Sequence, residues 1–144
     1  MPIVKNIINA KCLKDVQKVI YLKVDIAENK YVLVPTNCCS TVSIVGAKRS
    51  SLDKLYRQNG TLVSGRPLYV DDHFMSMTNQ NGIWFSGTLW MVGTISDLNE
   101  GKLAYGFLHN DGEFGDCPGE IESWTEYYDS SWGINDELTM ECDG

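Results

Sequence analysis

From Cys39 onward, turn-forming residues cut the chain into short apolar runs, at about the eight-to-twelve-residue spacing of antiparallel β proteins. Thr41-Val42-Ser43-Ile44-Val45 alternates and stops at Gly46. Asn59-Gly60 is a strong turn dipeptide leading into Thr61-Leu62-Val63, and Ser64-Gly65 turns again into Pro67-Leu68-Tyr69-Val70. Asp71-Asp72 breaks that run ahead of a strand over 73–78. Asn79-Gln80-Asn81-Gly82 precedes Ile83-Trp84-Phe85, and residues 88–93 and 103–108 read as further strands. The run 137–142 closes the series with clean alternation. Only residues 50–57 break the β pattern, as a polar connection with one helical turn. The expected fold is therefore all-β and mostly antiparallel, as a sheet, a sandwich or a small barrel.

The first 37 residues differ in charge and pattern. Ile7, Ile8, Cys12 and Val16 lie at helical spacing, so 1–18 is helix-compatible. Residues 19–26 and 31–34 are β-like around the turn 27–30, and Pro35 stops the second run, which predicts a hairpin. The expected organisation is an amino-terminal arm, 1–37, and a β-rich module, 38–144. The arm carries six lysines against Asp15, Asp25 and Glu28; the module carries six bases against sixteen acids, with none of the bases beyond Lys102. A basic arm beside an acidic body invites self-association, although a solvated acidic face explains the same charges. The net charge of −7 leaves no basic stripe for nucleic acid. No apolar run approaches the roughly 20 residues of a membrane helix, and the first twenty residues lack a signal-peptide pattern.

Five cysteines, none at metal spacing, suggest an oxidised protein. Neighbouring residues of a strand point to opposite faces, so Cys38 and Cys39 require different partners. The disulfide candidates are Cys38, Cys39, Cys117 and Cys142, and a bridge from Cys39 to Cys142 would close about 100 residues, stabilising by roughly 4–5 kcal/mol. Five buried thiols in a reducing compartment are the alternative. Asn59-Gly60-Thr61 makes Asn59 a glycosylation candidate if the chain is secreted.

Signals for catalysis are weak. Two histidines, His73 and His109, are too few for most metal or acid–base constellations, and no phosphate loop is present. Asp111, Glu113 and Asp116 lie among glycines in a tract whose oxygen donors suit calcium, but the spacing is not that of a helix–loop–helix site. The many carboxylates late in the chain are too unspecific to indicate a glycoside hydrolase. Trp84, Trp90, Trp124 and Trp132, with Tyr127 and Tyr128, supply rings for a core, for sugar stacking or for protein contact.

The order of elements over 39–142 resembles a β-rich module of secreted multidomain proteins from animals and some protists. The carrying residues are Cys39 to Gly46, Gly65-Arg66-Pro67-Leu68-Tyr69, Trp90-Met91-Val92-Gly93, Cys117-Pro118, Trp124, Trp132 and Cys142. Met75 and Met77 depart from the aromatics usual in that pattern. Arg66 is placed to lie over a tryptophan or to pair with the acidic carboxyl-terminal tract. The resemblance implies an extracellular interaction or structural module with no catalytic residues.

The expectation is a non-enzymatic extracellular module that acts by protein–protein assembly or self-association in a matrix, coat or filament. Its interaction candidates are Arg66, Trp84, Tyr127, Tyr128 and Trp132. A glycan-binding module, with or without calcium, is the first alternative; an intracellular structural subunit is the second. No cofactor is expected beyond that calcium.

Overall fold

Alternating side chains can bury one face of a strand only if neighbouring strands present theirs in register. The structure, a computed structural model, describes residues 20–25, 30–35, 38–72, 79–110 and 115–143. The chain divides into two units, 1–38 and 39–144. In the first, β1 (Ile20–Asp25) pairs antiparallel with β2 (Lys30–Pro35), from Ile20 opposite Pro35 to Asp25 opposite Lys30. This is the expected hairpin. The helix-compatible stretch 1–18 lies outside the described residues.

Among the described residues, the second unit is a single nine-stranded antiparallel sheet. Its strands are β3 (Thr41–Val45), β4 (Leu55–Val63), β5 (Arg66–Asp71), β6 (Asn81–Phe85) and β7 (Trp90–Thr94), then β8 (Leu108–Asn110), β9 (Trp124–Tyr128), β10 (Ser131–Ile134) and β11 (Thr139–Cys142). The spatial order is β10-β9-β8-β7-β6-β5-β4-β3-β11, a meander whose last strand returns beside its first. A short helix, α1 (Ile95–Asn99), follows β7 and is capped by Thr94, whose Oγ1 accepts the Asp97 N–H at 3.1 Å.

That order requires curvature. Nine flat strands would separate the two edges by about 38 Å. Yet β10 and β11, at opposite edges, are joined by the four residues 135–138, which reach at most about 18 Å. The sheet therefore curls into a half-barrel. Side chains complete what the backbone ladder leaves open. The buried Glu126 carboxylate of β9 accepts the N–H groups of Lys48 and Arg49 beyond β3, each at 2.9 Å, and the Asn135 amide at 2.8 Å. Asn135 also donates to the Gly46 carbonyl at 2.9 Å.

The register gives each face its own core. Val42, Tyr56, Tyr69, Ile83, Val92 and Leu108 line the concave side and are fully buried. On the convex side, Leu68, Trp84 and Met91 form a second cluster, closed by Ile95 and Leu98 of α1. Cys39 is bonded to Cys142, with Cα atoms 5.7 Å apart across a separation of 103 residues, and Cys38 and Cys117 are disulfide-bonded as well. Adjacent cysteines with separate partners are thus a feature of the structure.

Four local expectations are corrected. Residues 55–57, expected within the polar connection, already belong to β4 and pair with β3. Asn59-Gly60 is not a hairpin turn but an irregularity inside the continuous β4, where the register shifts between Gln58 and Leu62 and Gly60 takes a φ of 85°. Residues 103–107 are not strand; only Leu108–Asn110 enters the ladder. The turn expected over 79–82 ends early, because Asn81 and Gly82 already pair with Thr94 and Gly93. The strand expected over 73–78 lies outside the described residues.

Candidate functional site: an exposed aromatic groove

Beyond the cover of α1, the convex face continues onto β9 and β10, and among the described residues of this unit nothing lies over it. Tyr127 of β9 stands directly opposite Trp132 of β10, and the Tyr127 N–H donates to the Phe107 carbonyl at 2.8 Å. The two rings lie 5.3 Å apart, tilted by 53°, and His109 packs against Trp132 at 4.8 Å. Tyr127 and Trp132, with Ala104, Tyr105 and Gly106, line an open groove of about 250 Å³. Trp132 is 47% exposed and Tyr105 59% exposed, large values for aromatic side chains.

The groove floor depends on a close approach of backbones. A Cβ on Gly106 would stand 2.4 Å from the Val92 carbonyl oxygen, and one on Gly93 would meet both Trp84 and Gly106 below 3.0 Å. Without side chains there, residues 105–107 run close along β7 beside Tyr127. Leu103 itself accepts the Trp84 indole N–H at 2.8 Å, which ties this loop to the convex cluster.

The remaining aromatic candidates have structural roles. Trp84, Trp90 and Trp124 are buried, and the Trp90 indole donates to the Gly115 carbonyl at 3.0 Å. Burial removes Trp84 from any contact surface. Tyr128 is exposed but belongs to the opposite face from Tyr127. Arg66 does meet the acidic tract, pairing with Asp116, while its guanidinium lies 4.9 Å from the centre of Phe85 rather than over a tryptophan. It is largely buried and holds β5 to the segment around Cys117.

The pair with Arg66 already engages Asp116, and Asp111 and Glu113 lie outside the described residues. Among the described residues, no three His, Cys, Asp or Glu side chains are grouped for a metal. Asn59 is at an exposed position, with its Oδ1 accepting the Thr61 N–H at 2.9 Å. Buried titratable groups serve the fold. Asp71 is fully buried and paired with Lys54 at 2.9 Å. Burial first, then the Asp71 and Asp53 carboxylates, push the Tyr56 phenol well above its ordinary range. Burial also raises Tyr69, against the opposing effect of its Gln58 hydrogen bond.

Tyr105 is the groove residue that sequence reasoning missed, because 103–108 reads as strand. In the sequence His109 is an isolated histidine; its contact with Trp132 arises from a pairing that nothing local announces. No helix among the described residues is long and apolar enough to cross a membrane. Comparison with protein-family models, curated proteins and solved structures found no match for this chain.

Proposed function

We propose that the chain is a non-enzymatic extracellular module that acts by protein–protein assembly, with the groove of Tyr105, Tyr127 and Trp132 as its contact surface. One observation carries this reading: the sheet buries three of its tryptophans and leaves Trp132 bare beside two exposed tyrosines. Aromatic side chains with one open face are the usual anchors of protein contacts. The disulfides of Cys38, Cys39, Cys117 and Cys142 support an oxidising location.

The test compares the wild-type chain with the double variant Tyr127→Ala/Trp132→Ala in extracellular material from its source. Light scattering on the wild type is expected to give a mass well above its own 16.1 kDa, and on the double variant the monomer mass. Equal masses for the two would overturn the groove as contact surface. Intact mass before and after reduction tests the compartment: a gain of four hydrogens is expected, and no gain would mean reduced thiols and an intracellular subunit.

Glycan binding draws on the same rings. Sugar sites, however, add polar groups that fix the hydroxyls, whereas this lining offers tyrosine hydroxyls and otherwise Ala104, Gly106 and an indole.

A further inference from the structure

We propose that the groove receives a cationic side chain, a guanidinium or ammonium group, from a basic extended segment of a protein partner. This rests on the groove being the contact surface and names the chemistry that enters it. A cation over a ring face is attracted by the ring quadrupole and requires no hydrogen-bonding wall, which matches a lining built from three aromatic rings and two small residues.

The unit already uses this contact repeatedly. Arg49 lies 4.2 Å from the centre of Phe107, Arg66 4.9 Å from Phe85, and the Lys102 ammonium 5.5 Å from Tyr105. Tyr127 and Trp132, by contrast, hold no lysine or arginine among the described residues, and their tilt leaves an open corner. A centred cation there can reach both rings within the roughly 6 Å over which the attraction acts.

Charge favours the same occupant. Eleven acids and no lysine or arginine follow Lys102, Lys102 beside Tyr105 is itself paired with Glu100 at 2.8 Å, and Asp129 lies in the turn that joins the strands of the two rings. An approaching cation is attracted over a Debye length, a neutral sugar is not, and a phosphate-bearing headgroup is repelled. β10 is also the sheet's edge, so the main chain of an extended segment can pair along it while its side chain turns onto the aromatic face.

The test uses the full chain and an acetylated peptide of three Gly-Ser-Arg repeats, with a citrulline peptide of the same length as the neutral counterpart. Trp132 is the exposed tryptophan of four, so a change of emission on adding peptide reports on the groove above the constant emission of the three buried tryptophans. The arginine peptide should shift the emission saturably. Citrulline should bind several-fold more weakly, as loss of a cation–π contact in an open groove implies, and added salt should weaken the arginine peptide alone. Tyr127→Ala and Tyr105→Ala should each weaken binding several-fold, while Tyr128→Ala, on the other face, should leave it unchanged. Thermal melting of each variant separates loss of contact from loss of fold.

Equal binding of the citrulline peptide would overturn the cation and leave an apolar contact surface standing. A response to chitotriose or maltotriose with none to the peptide would overturn it in favour of a glycan. Silence toward every probe would also overturn it, and the assembly of the Tyr127→Ala/Trp132→Ala variant then decides whether the contact-surface reading falls too.

Discussion

The hairpins β4–β5 and β9–β10 are made to one plan and used in opposite ways. Each turns through two residues of positive φ, Ser64 and Gly65 in the first (51° and 80°), Asp129 and Ser130 in the second (53° and 66°). Both present an apolar convex face, with Val63, Leu68 and Val70 on one and Tyr127, Trp132 and Ile134 on the other. Over the first, α1 and the neighbouring strands complete a core; over the second, none of the described residues of the unit does. Burial is thus assigned by what a neighbouring segment happens to cover, and not by the strand's own pattern.

The largest effect expected from breaking this contrast lies at its tryptophans. Trp84→Ala should lower stability by about 3–5 kcal/mol through the cavity it leaves, whereas Trp132→Ala should cost about 0.5 kcal/mol, as an exposed site does. Urea midpoints of the two variants check this, and similar losses would mean that the groove is part of the core. Next comes the tie that holds the β9–β10 side of the sheet to the far end of β3. Glu126→Ala removes the acceptor of two backbone N–H groups and of the Asn135 amide, for an expected loss of about 2–4 kcal/mol. Glu126→Gln, keeping one oxygen, should fall between the two, and hydrogen exchange at Lys48 and Arg49 should quicken in both variants.

The concave core adds a dependence on pH. Tyr56 holds its proton in the folded state beyond the ordinary phenol range, so above about pH 10 the unfolded chain ionises first. Stability should then decline by about 1.4 kcal/mol for each further pH unit until the folded-state phenol ionises as well, with no contribution from Tyr56 below that window. Denaturation midpoints between pH 9 and 11 test this, and Tyr56→Phe should flatten the slope. The smallest effect compares the turns. Ser130→Gly should stabilise β9–β10 by about 0.5–1 kcal/mol, because a positive φ suits glycine there. Gly65→Ala should destabilise β4–β5 by a similar amount, about 1 kcal/mol. Melting temperatures moving in opposite directions would confirm that the two turns share one geometry.

Strand-and-turn alternation made much of this architecture readable in advance. Residues 41–45, 83–85, 88–93 and 137–142 fall on or across observed strands, and Ser64-Gly65 is the two-residue turn it promised to be. Trp124-Thr125-Glu126-Tyr127-Tyr128 gave no comparable signal. Its alternation is real in space, but Glu126 sits on the buried side to hold the sheet's ends and Tyr127 on the bare side. Helix α1 is too short to show a period. The groove was legible only as a supply of rings: a list of tryptophans cannot reveal that α1 covers one part of a face and stops before another. Asn59-Gly60 misled for a related reason, since glycine at positive φ serves a bulge as readily as a turn.

The return of β11 to the side of β3 also bears on how the unit is made. A ribosome delivers β3 about a hundred residues before the strand that pairs with it, so the outer edge of β3 waits unpaired while the meander forms behind it. Contacts so distant in sequence fold slowly, and an open edge is where a growing chain finds wrong partners. Completion of the sheet is therefore a late event, made permanent when Cys142 reaches Cys39 and oxidises, and a chain interrupted before residue 139 would leave synthesis with a sticky margin in place of its last strand.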